Sequence, residues 1–262
     1  MVADAAKTKI ARMCGRYSTT GRFSWAEIHR ALSTYGEVKT APLNLEPNDD
    51  VRPTTRQVTA RLDDDGGWIV EAKRWGLIPF WRGGKPVKDS QQGKGDGFKL
   101  TTFNARVETV STAATFRESF KRRRCIVPAS SWFEWTGEKG SKVKHRFTRA
   151  DHGLIWFAGI HDTVQTTDEG QVDSFTILTG PSEGWLADYH DRAPVILDEA
   201  DWATWLDLTM AAEHLIAPSP AGTLMAEEVA QGSDVAAAPF DLVIFEPLGG
   251  EVLKMWRRTV DS

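Results

Sequence analysis

The chain has 262 residues, enough for one large domain or two small ones with an ample core. Its 41% hydrophobic and 26% charged content are ordinary for a globular fold, and a net charge of −4 excludes whole-molecule attraction to nucleic acid, so any such site must be a local basic patch. Two cysteines, Cys14 and Cys125, make no disulfide framework, and no stretch has the apolar length of a signal peptide or membrane span, so a cytoplasmic protein is expected.

Cys14 follows Met13 directly. If translation starts at Met13 and that methionine is removed, Cys14 carries an α-amine and a thiol on adjacent carbons. Together these close a five-membered thiazolidine ring on an aldehyde. An internal cysteine cannot, because its nitrogen is an amide. The alternative for Cys14 is a small buried residue near a terminus.

The next signals are structural. Ser24 and Glu27 have capping-box spacing, and Phe23 with Ile28 suits a hydrophobic staple, which predicts a helix from about Ser24 to Tyr35. Trp68 to Trp75 alternates as a strand. Trp81 precedes a polar, glycine-rich loop (Gly83 to Gly97) and reads either as core or as an exposed stacking platform for bases. Asn104 and Arg106 read as a turn amide and an ion pair with Glu108, or as functional groups. The run Lys121 to Arg124 is a solvated face or a phosphate-binding stripe.

Strands are expected at Cys125–Trp135, Val143–Thr148, Leu154–Ile160, Ser174–Thr179 and Pro194–Leu197. Glu134 lies between Phe133 and Trp135, on the opposite face by alternation. It is a solvated edge carboxylate, or a buried one whose raised pKa suits proton transfer. His190 is a hydrogen-bonded loop histidine or a proton-transfer group. His29, His145, His152, His161 and His214 have no partner pattern, and no spacing resembles a metal site. A short helix near Glu199–Leu208 carries Trp202, Trp205 and Leu206 on one face. Residues 217–239 read as loop, followed by strands at Leu242–Phe245 and Glu251–Trp256. Strands outnumber helices and nothing repeats, so one α+β domain around a curved antiparallel or mixed sheet is expected.

Several of these segments together resemble the SOS-response-associated peptidase (SRAP) family of abasic-site processing proteins. They are Cys14-Gly15-Arg16, Trp75-Gly76-Leu77-Ile78-Pro79 with Trp81, Asn104-Ala105-Arg106 with Glu108-Thr109, Trp132-Phe133-Glu134-Trp135, and His190-Asp191-Arg192 with Pro194. The resemblance covers roughly Met13 to Leu208. It implies a single compact β-rich, barrel-like α+β domain with a few peripheral helices and a positively charged DNA groove. It implies Cys14 as the residue linked covalently to abasic DNA, and Asn104, Glu134 and His190 as the rest of the active centre. Arg16, Arg106 and Arg192, with Thr179, are the implied phosphate contacts. The implied partner is single-stranded DNA containing abasic sites, including single-strand/double-strand junctions, bound by a monomer that needs no cofactor or metal and joins the nucleoid when on DNA.

Departures are visible. Ala193 stands where methionine is frequent, and Asp50-Val51-Arg52-Pro53-Thr54 matches only in part, which leaves Pro53 without support as a DNA wedge. The family's C-terminal valine-asparagine motif is not evident in residues 217–239. The largest departure is the stretch before Cys14. Residues 1–13 are therefore expected to be removed or never translated, with 14–262 forming the domain.

The chemistry explains the residue types. An α-amine of pKa ~8 is roughly a tenth neutral at pH 7, against under about a thousandth for lysine at ~10.4. It attacks the ring-opened sugar aldehyde, and the adjacent thiol closes the ring intramolecularly. His190 would open the sugar, Glu134 would shuttle protons and Asn104 would hold the sugar or the Cys14 backbone. A Cys14 thiolate attacking the Met13 carbonyl would free the amine by autoproteolysis. Two other classes stay open: a cysteine hydrolase acting in trans through Cys14 or Cys125 with His190, and a non-catalytic single-strand-binding module.

Overall fold

Alternating strands organise this chain, and helices only cover one side of them. The computed structural model describes residues 15–87, 102–138, 140–210, 215 and 223–229. Cys14, the strands expected at 242–245 and 251–256, and most of the 83–97 loop lie outside the described residues.

Strands β2 (Arg56–Leu62) and β3 (Trp68–Trp75) form a hairpin. Asp63 builds its turn by accepting the N–H groups of Asp65 and Gly67, and Gly66 takes the left-handed φ of 80° that a residue without Cβ adopts freely. With β5 (Arg124–Ala129), β8 (Ile155–Gln165) and β9 (Gln171–Pro181) they close into a barrel, antiparallel except where β3 meets β9. A second sheet is ordered β1 (Tyr17–Ser18), β6 (Ser131–Thr136), β7 (Val143–Arg149), β11 (Leu224–Val229). Strands β4 (Asn104–Arg106) and β10 (Arg192–Pro194) both pair with the far part of β9. The β-rich, barrel-like α+β expectation holds.

The outer barrel face presents Val58, Ala60, Val70, Ile126, Ala158 and Ile160 to the helices. Helix α1 (Trp25–Ser33) buries Ile28, Ala31 and Leu32 there. Its N-cap Ser24 accepts the Glu27 N–H as expected, but the Glu27 carboxylate turns to Arg30 at 2.6 Å instead of completing the box. Helix α3 (Trp202–Leu206) brings Trp202 edge-on to Trp68 and Trp156.

The expected strand Cys125–Trp135 is two strands in different sheets. Both the N–H and the hydroxyl of Ser130 donate to the Ser18 carbonyl, which draws the chain off the barrel and onto β1. Residues 217–239 were expected to be loop, yet Leu224–Val229 pairs along all of β7. The basic run divides: Lys121 and Arg122 are exposed, as a solvated face would be, and the other two turn to internal partners. Helix α2 (Arg117–Arg122) ends in it: Arg122 pairs with Glu118, Arg123 with buried Asp162, and Arg124 turns inward.

The inner barrel face is apolar near β1, with Trp75, Val127, Phe157, Phe175 and Ile177. Further along it is charged. Glu71 accepts from Arg61 at 2.8 Å and from buried Lys73 at 2.9 Å, and these bonds outweigh burial to hold its carboxyl below the ordinary value. Burial, with Lys73, Arg61 and Arg123 nearby, pulls the His161 imidazole from 6.5 down to about 3. The unfolded chain therefore binds a proton near pH 6.5 that the folded chain refuses until about pH 3. His161 contributes stability above pH 6.5, and that stability drains as pH falls through the window. Denaturant titrations between about pH 4.5 and 6 should show wild-type stability rising with pH more steeply than that of His161→Phe, by about 1.4 kcal/mol per pH unit. An unchanged slope in the variant would overturn this assignment.

Candidate functional site

Strand β6 positions the first functional side chain. Trp132 and Glu134 share a face by alternation, and Glu134 is only 4% exposed, so it is not a solvated edge carboxylate. Phe133, on the other face, lies under the Lys144 ammonium at 3.9 Å. Trp132 stacks on Phe147, which stacks in turn on Trp185. Tyr189 meets Phe147 and His145 edge-on. Opposite Glu134 on β7, His145 bonds the Thr136 hydroxyl at 2.7 Å.

A 3-10 turn at Gly184–Asp188 delivers the second. The N–H groups of Tyr189 and His190 reach back to the Leu186 carbonyl, and the Ser182 N–H donates to Asp191 O. The chain then enters β10. His190 Nδ1 accepts the Arg192 N–H at 3.0 Å and also lies 2.9 Å from the carboxylate of Asp191. Nδ1 lies also 3.1 Å from the Arg192 carbonyl, so it can accept from the N–H or donate to an oxygen; Nε2 carries a proton in the first tautomer and in the imidazolium. Nε2 is buried with no hydrogen-bond partner among the described residues.

Glu134 and His190 meet in one narrow recess walled by Trp132, Tyr189, Ser182 and Arg192. Its enclosed space admits a group the size of a water molecule. Asn104 does not line it. It is buried on β4 beside Ile177 of β9, on the same strand face as Arg106 and opposite Ala105, which packs into the helix-covered core.

The expected phosphate contacts differ from one another. Arg106 is exposed and makes no ion pair among the described residues. The Glu108 partner is instead Arg192, bidentate at 2.7 and 2.8 Å, and that bond holds the Glu108 carboxyl below its usual value against partial burial. Arg192 also donates to the Thr179 carbonyl at 2.6 Å and is itself buried, so it works from inside the fold. Thr179 is fully buried, with its carbonyl shared by Arg192 and Val107 N–H. Arg16 lies over the Trp135 ring and bonds Asp50 at 2.6 Å. Asp50 also accepts from Arg52. Burial raises its pKa, but the bonds from Arg52 and Arg16 win and lower it. Trp81 is 42% exposed, its indole N–H on the Ala114 carbonyl, and Asp162 holds its turn by accepting the Phe80 N–H.

Sequence reasoning singled out neither Ser182 nor Tyr189 nor Asp50 as functional. Tyr189 carried one signal, its place beside His190. Ser182 carried none, because only the β9–β10 turn brings it to the recess.

The chain matches the family model described as SOS response associated peptidase (SRAP) over residues 13–234. It is 29% identical over 197 residues to the abasic site processing protein YoqW of Bacillus subtilis (strain 168), covering 74% of this chain and 80% of that one. To the abasic site processing protein YobE of the same organism it is 31% identical over 197 residues, covering 74% and 82%. Among solved structures, a protein from Bacteroides thetaiotaomicron is similar with a TM-score of 0.68 at 26% identity, over 83% of this chain and 93% of that one.

Proposed function

This chain belongs to the SOS response associated peptidase family, and on that premise we propose that it processes abasic sites in single-stranded DNA through a thiazolidine crosslink at Cys14. The observation that carries the reading is the recess where Glu134 and His190 meet, beside the strand that Cys14 precedes. The Arg16 carbonyl accepts the Phe133 N–H, so β1 enters antiparallel to β6, and Gly15 lies one register step toward Glu134. Cys14 is one peptide bond further on.

The steps balance without oxidant or reductant. The sugar hemiacetal opens as Glu134 takes the proton of the C1′ hydroxyl and His190 Nε2–H protonates the ring oxygen. The neutral Cys14 amine adds to the C1′ aldehyde, and the carbinolamine loses water to give the imine. The thiol sulfur then bonds to C1′ while its proton passes to nitrogen, closing the ring. Asn104 holds the sugar or the Cys14 backbone. Arg106 meets a phosphate directly, Arg16 does so beside Asp50, and Arg192 and Thr179 support the phosphate-facing edge from within. Trp81 offers a base-stacking face.

Cys125 is a poor alternative nucleophile. Burial pushes its thiol up to about 12, so essentially no thiolate exists at neutral pH. Residues 1–13 leave either by Cys14 attack on the Met13 carbonyl or because translation begins at Met13. Intact-mass measurement of the purified protein separates a chain beginning at Cys14 from one retaining residues 1–13. That protein, incubated with an abasic single-stranded oligonucleotide, should give a shifted band on a denaturing gel. An undamaged oligonucleotide should give none. If a chain of confirmed Cys14 start binds in a salt-sensitive way but leaves no surviving band, the non-catalytic module is correct instead. Turnover of peptides or esters without any adduct would favour the hydrolase.

A further inference from the structure

The recess holds more hydrogen-bonding capacity than the crosslinking reaction assigned above uses. His190 Nε2, Ser182 Oγ and Arg192 Nε are all buried, and each lacks a partner among the described residues. All three residues wall the same recess as Glu134. Buried polar atoms without partners are costly, so a cluster of them marks a place where a ligand or water supplies the missing bonds. The three have one polarity in common. The Arg192 Nε–H can only donate. The Nε2 of His190 donates in the imidazolium and in the tautomer whose Nδ1 accepts the Arg192 N–H. The Ser182 hydroxyl can donate too, and its backbone is fixed by the bond from its N–H to Asp191 O. The guanidinium cannot swing away, because Glu108 and the Thr179 carbonyl clamp its other nitrogens. These donors, set beside the Glu134 carboxylate in a recess with room for one small group, suit a sugar oxygen rather than a base.

We propose that Ser182 is a substrate-binding residue whose hydroxyl, with His190 Nε2–H and Arg192 Nε–H, holds the deoxyribose ring oxygen as that oxygen becomes a hydroxyl. The inference rests on the crosslinking reading and deepens it. In the closed sugar the ring oxygen is a weak acceptor. As the bond from C1′ breaks, negative charge gathers on it until His190 delivers its proton. Preorganised donors bind that developing charge more tightly than the starting oxygen, which speeds opening. Ser182 transfers no proton overall. It also favours the opened form after the amine has reacted, because the new hydroxyl keeps the same partners.

The test compares wild type, Ser182→Ala and Ser182→Thr in whichever purified form, full chain or chain begun at Met13, gives the adduct. Two quantities are read: affinity for an undamaged single-stranded oligonucleotide, and the rate of heat-stable adduct with an abasic one across pH 5 to 9. Ser182→Ala should keep the affinity within about twofold and slow adduct formation roughly tenfold, the effect of one lost hydrogen bond to a charged acceptor. The loss should shrink on an oligonucleotide carrying a ring-opened aldehyde analogue, where opening is no longer needed. Ser182→Thr, which keeps the hydroxyl, should recover most of the rate. If wild type forms adduct and Ser182→Ala matches it at every pH, this assignment fails alone. If Ser182→Ala slows closed and pre-opened substrates equally, the role in ring opening is wrong. If wild type forms no adduct, the crosslinking reading falls and takes this inference with it.

Discussion

A Cys14→Ser chain begun at Met13, its methionine removed and its start confirmed by intact mass, should leave almost no adduct with an abasic oligonucleotide after heating, at least roughly a hundredfold less than wild type. The serine amine still condenses with the aldehyde, so the imine forms. The hydroxyl is a far weaker nucleophile than the thiol, so the linkage stays open to hydrolysis. This separates two contributions that wild type merges. Adding borohydride during incubation should restore a band for Cys14→Ser, and for Cys14→Ala, by reducing the imine to a stable amine. A chain whose extension before Cys14 cannot be removed should give no band under either condition, since its nitrogen is an amide. A Cys14→Ser adduct as durable as the wild-type one would rule out the thiazolidine. A reductant-independent band from the extended chain would show that the amine is not needed.

Replacing Arg124 with methionine should be strongly destabilising. Arg124 is 6% exposed. Its guanidinium donates to the carbonyls of Phe120, Trp205, Asp207 and Met210, closing the C-terminal ends of α2 and α3 together. It also lies against the Phe120 and Trp205 rings. Methionine keeps much of the volume but removes every donor, leaving carbonyls buried without partners at about 1–3 kcal/mol each where water cannot reach. A net loss of about 3–4 kcal/mol should lower the melting temperature by roughly 10 °C. Lysine should not rescue it, because one ammonium cannot span carbonyls from two helices. Arg122→Ala, in the same basic run but exposed and paired only with Glu118, should change stability by less than about 0.5 kcal/mol. A variant Arg124→Met that melts with wild type would mean water serves those carbonyls.

Features written in local spacing were legible before any coordinates. Ser24 with Glu27 marked a helix start, and Trp68 to Trp75 is a strand with the expected bounds, although alternation holds only to Val70 and then Ala72 is exposed and Lys73 buried. Strand β2 was just as regular, with Val58, Ala60 and Leu62 alternating. No strand is expected there in the sequence analysis; Gln57, Thr59 and Arg61 stand between the apolar residues, and Arg61 is neutralised across the hairpin by Glu71. Choices made by distant partners were not legible. Glu108 is near Arg106 in sequence and pairs with Arg192 in space. Ser130 ends a strand only because Ser18 is there to bond it. The burial of Glu134 depended on β7 and the Gly184–Asp188 turn closing over it, which alternation alone leaves undecided.

Strand β9 carries more than its place in the barrel suggests. Along one edge it pairs with β8 and then β10, and along the other with β3 and then β4. Asn104 therefore hangs from one side of β9, and the strand that follows His190 hangs from the other. Neither β4 nor β10 has enough pairing of its own to persist if β9 lets go. Asn104 and His190, two of the groups assigned to the sugar, thus depend on the barrel's own cooperative unit, whereas Glu134 stands on β6 of the second sheet; β11 pairs through β7 alone and can open without β4 or β10. On the crosslinking proposed above, this arrangement would suit a protein that stays bonded to one damaged strand. Fraying of β11 then leaves β4 and β10 in place.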